Sequence, residues 1–314
     1  MASESLGAVG LGPPRILAII CAKDERPYLA KCLDALLAQS APGLSIIVVD
    51  DGSIDGTYDL ARSYANRHEA IRVLRRPRAK GGKARAHGIP IAEAFNYAVA
   101  SVDLRGFDYL AKIDADVVLS DGYLEELLRA FESDPRLGLA AGQTINEPTG
   151  DPRGGNRVFR MACWLEASWG GRMPEVPAED TYTALRAMLK GWRVRLIPRA
   201  ECLHLRPNRL KPFGRKLAEA FWRGAACRML GYHPLLFLGR LALSALRPPG
   251  PLGALAGLGG WAYAKAMGYE AEPELRAFVR RIQARRVAEA AALGPAGLLK
   301  RYRVGAGSKE SRGT

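Results

Sequence analysis

Cysteine is scarce in this chain. There are five in 314 residues, Cys21, Cys32, Cys163, Cys202 and Cys227, and no two form a CxxC pair. An odd, scattered set argues against a disulfide framework or a zinc ribbon and suits a reducing cytosol. Long apolar runs are also missing. No window holds 18 uninterrupted apolar residues, so no membrane-spanning helix is expected. The opening MASESLGAVGLGPPR has no basic segment leading into an apolar core. It reads as a flexible leader over 1–14 rather than a secretory signal. Aromatic residues interleaved with basic ones, the pattern that stacks bases, are sparse, so nucleic acid is not an expected partner. No internal repeat is visible.

Positive charge is abundant, and it is concentrated. The net charge is +14, from 46 Lys and Arg against 32 Asp and Glu. Residues 201–314 contribute 20 basic and 7 acidic side chains, leaving 26 and 25 for residues 1–200. A basic C-terminal third calls for an anionic partner such as lipid headgroups or a phosphorylated ligand. The 48 % apolar content is that of an ordinary soluble globular protein.

The N-terminal two thirds alternate apolar runs with amphipathic ones. RILAIICAK (15–23), LSIIVVDDGS (44–53), AIRVLRR (70–76), FDYLAKID (107–114) and LGLAAGQ (137–143) read as buried strands. Segments 25–40, 55–68 (with Asp55 as N-cap), 90–102 and 122–133 between them read as helices. The pattern predicts an α/β fold, a Rossmann-like and mainly parallel sheet flanked by helices. Such sheets bind ligands at the carboxyl ends of their strands. The acid pairs Asp50–Asp51 and Asp114–Asp116 fall there and are expected to converge. Farther on, 156–168 and 178–192 read as helices, and WRVRLIP and AECLHL as two short strands. The expected organisation is one domain over 15–206, in two halves (15–143 and 144–206). A helical, basic, membrane-interfacial region over 207–296 and a disordered tail over 297–314 follow.

Two carboxylates one residue apart at a strand end repel each other unless a positive charge sits between them. No cationic side chain is read beside the pair in sequence. Mg²⁺ or Mn²⁺, which prefer carboxylate and phosphate oxygens, is the expected counter-charge, bridging a diphosphate.

AIICAKDERPYLAKCLDALLAQ, IIVVDDGSIDGT, GGKARA, KIDADVV and AEDTYTALRAMLKGWRV occur in the order seen in family 2 glycosyltransferases of GT-A fold, and the chain resembles that family over about 15–206. The resemblance implies transfer of a sugar, with inversion, from a nucleotide-diphosphate sugar to a hydroxyl acceptor. It implies a UDP-sugar first, with GDP- and dTDP-sugars as alternatives. It places Asp51 on the uracil or ribose with Asp50 beside it, Glu25 near the nucleoside and Lys83 near the base or phosphates. Asp114 and Asp116 become the DxD motif, with Asp114 also on the donor and His204 completing the metal site. Asp180 becomes the general base. The segment after Lys83 is longer than usual in the family, and a QxxRW motif is absent, which argues against a processive polymerase.

Two rivals carry less. A haloacid-dehalogenase-type phosphatase also has a DxD strand, but as its first strand. A non-enzymatic membrane-binding module would explain the basic C-terminal third alone. Within that third, LLFLGRLALSAL (235–246) and LGALAGLGGWAYAKAM (252–267) flank the break RPPGP. They read as a hairpin in the membrane interface, with Trp261 and Tyr263 at headgroup depth. The resulting expectation is a cytoplasmic protein peripheral at the inner face of the cell membrane, acting on a lipid-linked or glycan acceptor.

Overall fold

The computed structural model describes residues 13–41, 43–77, 88–148, 152, 155–206, 212–246 and 248–304. Its centre is β1 (Ile16–Ala22), an apolar run buried on both faces. β1 pairs in parallel with β2 (Leu44–Asp50) on one side and β4 (Tyr109–Asp114) on the other. β3 (Ile71–Arg75) continues the parallel half beyond β2. α1 (Arg26–Leu37), α2 (Thr57–Ala65) and α3 (Ile89–Val99) are the crossovers. A period of two sorts the side chains of β1. Ile16, Ala18 and Ile20 face one layer with Leu29, Leu33 and Leu36 of α1, and Leu17 and Ile19 face the other with Phe95 of α3.

Beyond β4 the sheet becomes mixed. Its order is β3-β2-β1-β4-β7-β6-β8-β5. The short β5 (Val117–Leu119) follows the DxD directly, and α4 (Tyr123–Ser133) leads into β6 (Leu137–Thr144). β7 (Asn156–Arg160) then inserts antiparallel between β4 and β6. This corrects the reading of 156–168 as a single helix. The strand covers its first five residues, and α5 (Met161–Ala167) covers the next seven. Val158 of the strand joins the layer of α1 and its Phe159 that of α3, where Phe159 packs edge-on against Trp164 of α5 at 5.1 Å. α6 (Glu179–Leu189) follows. The two short strands read at 192–205 are one, β8 (Arg193–His204), with a register shift opposite Gly142 and Gln143. At the start of α2, Asp55 lies one residue before the N-cap, which is Gly56 in the left-handed region, and its carboxylate accepts the Thr57 N–H at 3.0 Å. Trp164 is core, and Trp169, half exposed, packs edge-on against Tyr182 of α6.

Four helices make up the C-terminal third: α7 (Phe213–Met229), α8 (Pro234–Ala245), α9 (Pro251–Ala266) and α10 (Pro273–Val304). α7 and α9 form the most extensive pairing of any two described elements. Their contact is built from glycine. A Cβ on Gly260 of α9 would lie 2.7 Å from the Phe221 carbonyl carbon, and one on Gly224 of α7 equally close to the Gly257 carbonyl carbon. Trp261 and Tyr263 do not project outward as the interfacial reading expects. Trp261 stacks on Phe237 of α8 at 4.1 Å, and Tyr263 packs against Phe221 at 5.5 Å. Glycine lets the helices approach, and the neighbouring aromatic rings close over the seam. No described helix is long and apolar enough to cross a membrane.

All five thiols are free, four of them buried and Cys21 part-buried. Burial pushes Cys21 and Cys163 up to about 12 and raises Cys32, Cys202 and Cys227 as well.

Candidate active site

β2 and β4 flank β1, so their carboxyl ends arrive together. Register pairs Cys21 with Asp114 on one side, and Ala22 with Asp50 on the other. The two acid clusters therefore converge on one sheet edge, as the alternation of elements predicts. Asp50 is fully buried. Its Oδ1 accepts the Ser53 N–H at 3.2 Å, and its Oδ2 lies 3.4 Å from Arg75 Nε without a hydrogen bond. Asp51, also buried, accepts from Arg76 Nε at 2.7 Å, and Arg76 reaches Glu93 of α3 with its other arm at 3.0 Å.

Next to Asp114 the structure has two buried cations that sequence reading missed. Lys112 of β4 and Arg157 of β7 are cross-strand neighbours, and both are almost wholly buried. Like charges placed so destabilise a sheet unless acids surround them. Here they do. Lys112 Nζ lies 3.0 Å from Asp114 Oδ1. Arg157 donates to the Asp180 carbonyl at 3.0 Å and to Asp180 Oδ2 at 3.2 Å. Glu179, first residue of α6, is buried beside them. Burial and then the Asp180 charge push its carboxyl up to about 7, while Lys112 and Arg157 pull the other way. Glu179 fits because the facing residue is Gly88, whose absent Cβ would overlap Glu179 Oε2. Gly155 does the same for Asp114, since a Cβ there would overlap its carboxyl group. The expectation of no cation near the DxD is thus corrected. Lys112 stands two residues before Asp114, on the same face of the strand.

Asp116 has a different set of partners. Its Oδ2 lies 3.2 Å from His204 Nε2 and 2.9 Å from Arg206 Nε. The other His204 nitrogen meets Glu147 Oε2 at 2.9 Å. The bond to Asp116, helped by Glu147, raises His204 to about 9, so it stands as an imidazolium donating to both acids. Arg206 also reaches Glu25 Oε1, which places Glu25 beside Asp116 across the guanidinium. Burial pushes Glu25 up to about 7, against the pull of Arg206. Its second oxygen, Oε2, is buried and has no hydrogen-bond partner among the described residues.

The donors fit a divalent cation in kind. One carboxylate, Asp114, ends β4 and the other, Asp116, lies in the turn before β5, with an orphaned buried carboxylate oxygen of Glu25 beside it. Among the described residues no three such groups surround one point. Arg206 and protonated His204 supply the positive charge at Asp116, and Lys112 supplies it at Asp114. Holding a metal there requires His204 to give up its proton or turn away. Lys83 lies outside the described residues.

The sequence signals for the unexpected residues differ. Lys112 sits two positions before Asp114 on the same strand face, and period two alone would have flagged it. Arg206 lies in the bend beyond the end of β8, where no strand period reaches. Arg157 could not be found while its segment was read as a helix.

The family model for Glycosyl transferase family 2 matches residues 17–186. The uncharacterized glycosyltransferase EpsJ of Bacillus subtilis (strain 168) is 33 % identical over 98 residues, 31 % of this chain and 27 % of that protein. The chondroitin synthase of Escherichia coli is 31 % identical over 162 residues, 52 % of this chain and 21 % of that one. The matched stretches thus span about a quarter or less of these relatives' lengths. Among solved structures, the mannosyltransferase PcManGT from Pyrobaculum calidifontis, in complex with GDP-Man and Mn²⁺, superposes with a TM-score of 0.58 at 20 % identity, covering 94 % of this chain and 86 % of that one. At that identity the likeness is one of fold.

Proposed function

The chain belongs to glycosyl transferase family 2, and from this premise we propose that it transfers a sugar, with inversion, from a nucleotide-diphosphate sugar to a hydroxyl acceptor. The observation that carries the reading is the convergence of Asp50, Asp51, Asp114 and Asp116 on one sheet edge, with Asp180 joined to it through the buried Lys112–Arg157 pair. A UDP-sugar is the donor to test first. GDP-sugars come next, since the structural neighbour was solved with GDP-Man.

Each residue has work that its surroundings permit. Asp50 has an unused, buried oxygen, which suits acceptance from a ribose hydroxyl. Asp51, held by Arg76, lines the same end of β2. Asp180 is the proposed base. Arg157 holds its Oδ2 and Thr181 its Oδ1, while the side chain stays partly open to solvent, so the positioned carboxylate can take the proton of an attacking hydroxyl. One displacement with one base inverts the anomeric centre. Asp114 and Asp116, with His204 turned to its neutral form, are the proposed ligands of Mn²⁺ or Mg²⁺, which when bound would offset charge on the departing nucleoside diphosphate.

The acceptor is proposed to be a lipid-linked or glycan hydroxyl, presented at the cytoplasmic face of a cell membrane. Support comes from the basic C-terminal third and from the exposed leucines of α8 and α9.

The test is calorimetric titration of UDP and GDP with and without Mn²⁺, followed by a donor-hydrolysis screen. Metal-dependent affinity for one of them, lost in Asp116→Ala with the fold retained, is expected. Affinity that ignores both metal and substitution refutes the metal reading. Absence of hydrolysis with every nucleotide sugar refutes the enzymatic one.

A further inference from the structure

The C-terminal helices bury one side and leave the other bare. On α9, Gly253, Gly257, Gly260 and Ala264 are buried, and they recur at the spacing of one helix face. Leu252, Leu255 and Leu258 fall on the opposite face, all exposed. On α8 only Phe237 is buried, against Trp261, while Leu235 (71 % exposed), Leu238, Leu243 and the following Leu246 (82 % exposed) point away from the bundle. A soluble surface carries single exposed leucines, but two adjacent helices offering a row each is the mark of an interaction face.

The surrounding charge says what it meets. Residues 207–269 contain nine Lys and Arg and one acid, Glu219. Arg215 and Arg223 of α7, Arg240 of α8 and Lys265 of α9 are exposed there. Leucine rows edged by basic side chains, with almost no acids, complement an anionic bilayer surface, where the leucines enter the acyl boundary and the cations meet phosphate. Length fixes the mode. At 1.5 Å per residue, the 12 residues of α8 and 16 of α9 reach about 18 and 24 Å, short of the roughly 30 Å hydrocarbon core. The helices can lie in the interface but not span it. At the α8–α9 linker an open cleft of ≈ 360 Å³, lined by Phe213, Ala245, Leu246, Pro248, Pro249 and Gly250, offers an apolar seat continuous with Leu246.

We propose that the outward face of α8 and α9, from Leu235 to Leu258, docks the protein on an anionic lipid bilayer, lying in its interface. The inference deepens the reading of a membrane-presented acceptor and rests on it for its purpose, while its test is independent of catalysis.

The experiment is flotation of the full-length chain with phosphatidylcholine vesicles, with and without phosphatidylglycerol, alongside Leu238→Glu/Leu255→Glu. Both positions are exposed, so circular dichroism and donor hydrolysis should match the unsubstituted protein. The unsubstituted chain should float with phosphatidylglycerol vesicles at low salt and less so as salt rises. The double variant should partition at least about tenfold more weakly, since each glutamate both removes a buried leucine and adds repulsion. A wild-type chain that stays in the bottom fraction with phosphatidylglycerol vesicles overturns the proposal. So does a solution dimer that the double substitution splits while flotation is unchanged, which would assign the face to a second copy. Loss of hydrolysis with flotation intact would count against the catalytic reading alone.

Discussion

Glycine to alanine inside a helix normally stabilises, by up to about 1 kcal/mol, because alanine has less backbone freedom to lose. The C-terminal helices contain two glycines for which the structure forecasts opposite signs. Gly239, on α8, would place its Cβ in open space, with nothing within 4 Å. Gly239→Ala should therefore gain about 0.5–1 kcal/mol. At Gly260 the added carbon would lie 2.7 Å from the Phe221 carbonyl carbon and 3.1 Å from the Ala225 nitrogen. Those atoms are backbone and cannot rotate aside. Restoring an ordinary 3.4 Å contact with that carbonyl carbon already parts α7 and α9 by about 0.7 Å, and the carbonyl oxygen, nearer still to the added carbon, asks for more; such a gap forfeits at least a quarter to a half of the dispersion between facing atoms. Overpacking of this kind costs about 1–3 kcal/mol. Set against the same propensity gain, Gly260→Ala should lose about 1–2 kcal/mol, leaving about 1.5–3 kcal/mol between the variants. The assay is urea unfolding followed by tryptophan fluorescence, with Trp222 and Trp261 reporting from the seam itself. If both substitutions raise the midpoint by the same amount, the α7–α9 approach is not as close as described, and the argument for a glycine-built seam fails.

Arg157→Met should lower stability by about 2–4 kcal/mol, less than the full cost of breaking a buried pair because Asp180 retains some solvent. Arg157→Lys should fall between it and the unsubstituted protein, and a melting temperature unchanged in both would remove Arg157 from the role of anchor. Asp180→Asn keeps shape but not basicity. Its turnover number should drop by about 10²–10⁴-fold with donor affinity unaltered, and transfer at the normal rate would leave Asp180 with its Arg157 contacts only.

The parallel half of the sheet was legible because buried parallel strands are apolar throughout and end abruptly in acids, and that is how β1, β2 and β4 read. The mixed half was not. β7 is five residues long and runs straight into α5, so a window of helical length averages the two. Misreading it hid Arg157, whose meaning depends on Lys112 lying across the sheet, 45 residues earlier in the chain. The acids of the site could be named from sequence, since their place at strand ends is local. Of the cations that hold them, Lys112 lay within reach of period two, but Arg157 did not, because register sets its pairing. Arg206 shows the same limit. It donates to Glu25, 181 residues away, with one nitrogen and to Asp116 with another. In the C-terminal third the apolar runs were visible and were read as an interfacial hairpin, but the glycine-built approach of α9 to α7 was not, because it depends on which face of each helix meets the other.

The inert thiols have a practical consequence for following this protein on a surface. Maleimide and nitroxide reagents attack the thiolate, and a cysteine that is buried, with its proton held more tightly than usual, presents almost none at neutral pH. Cys32, Cys163, Cys202 and Cys227 are shut inside the fold, and Cys21, though part-buried, is pushed up to about 12. The natural sequence is therefore already a silent background for site-directed labelling. A single cysteine introduced at exposed Leu243 or Leu255 would carry a spin label or a polarity-sensitive dye without first removing five core residues. Immersion depth could then be read residue by residue along α8 and α9.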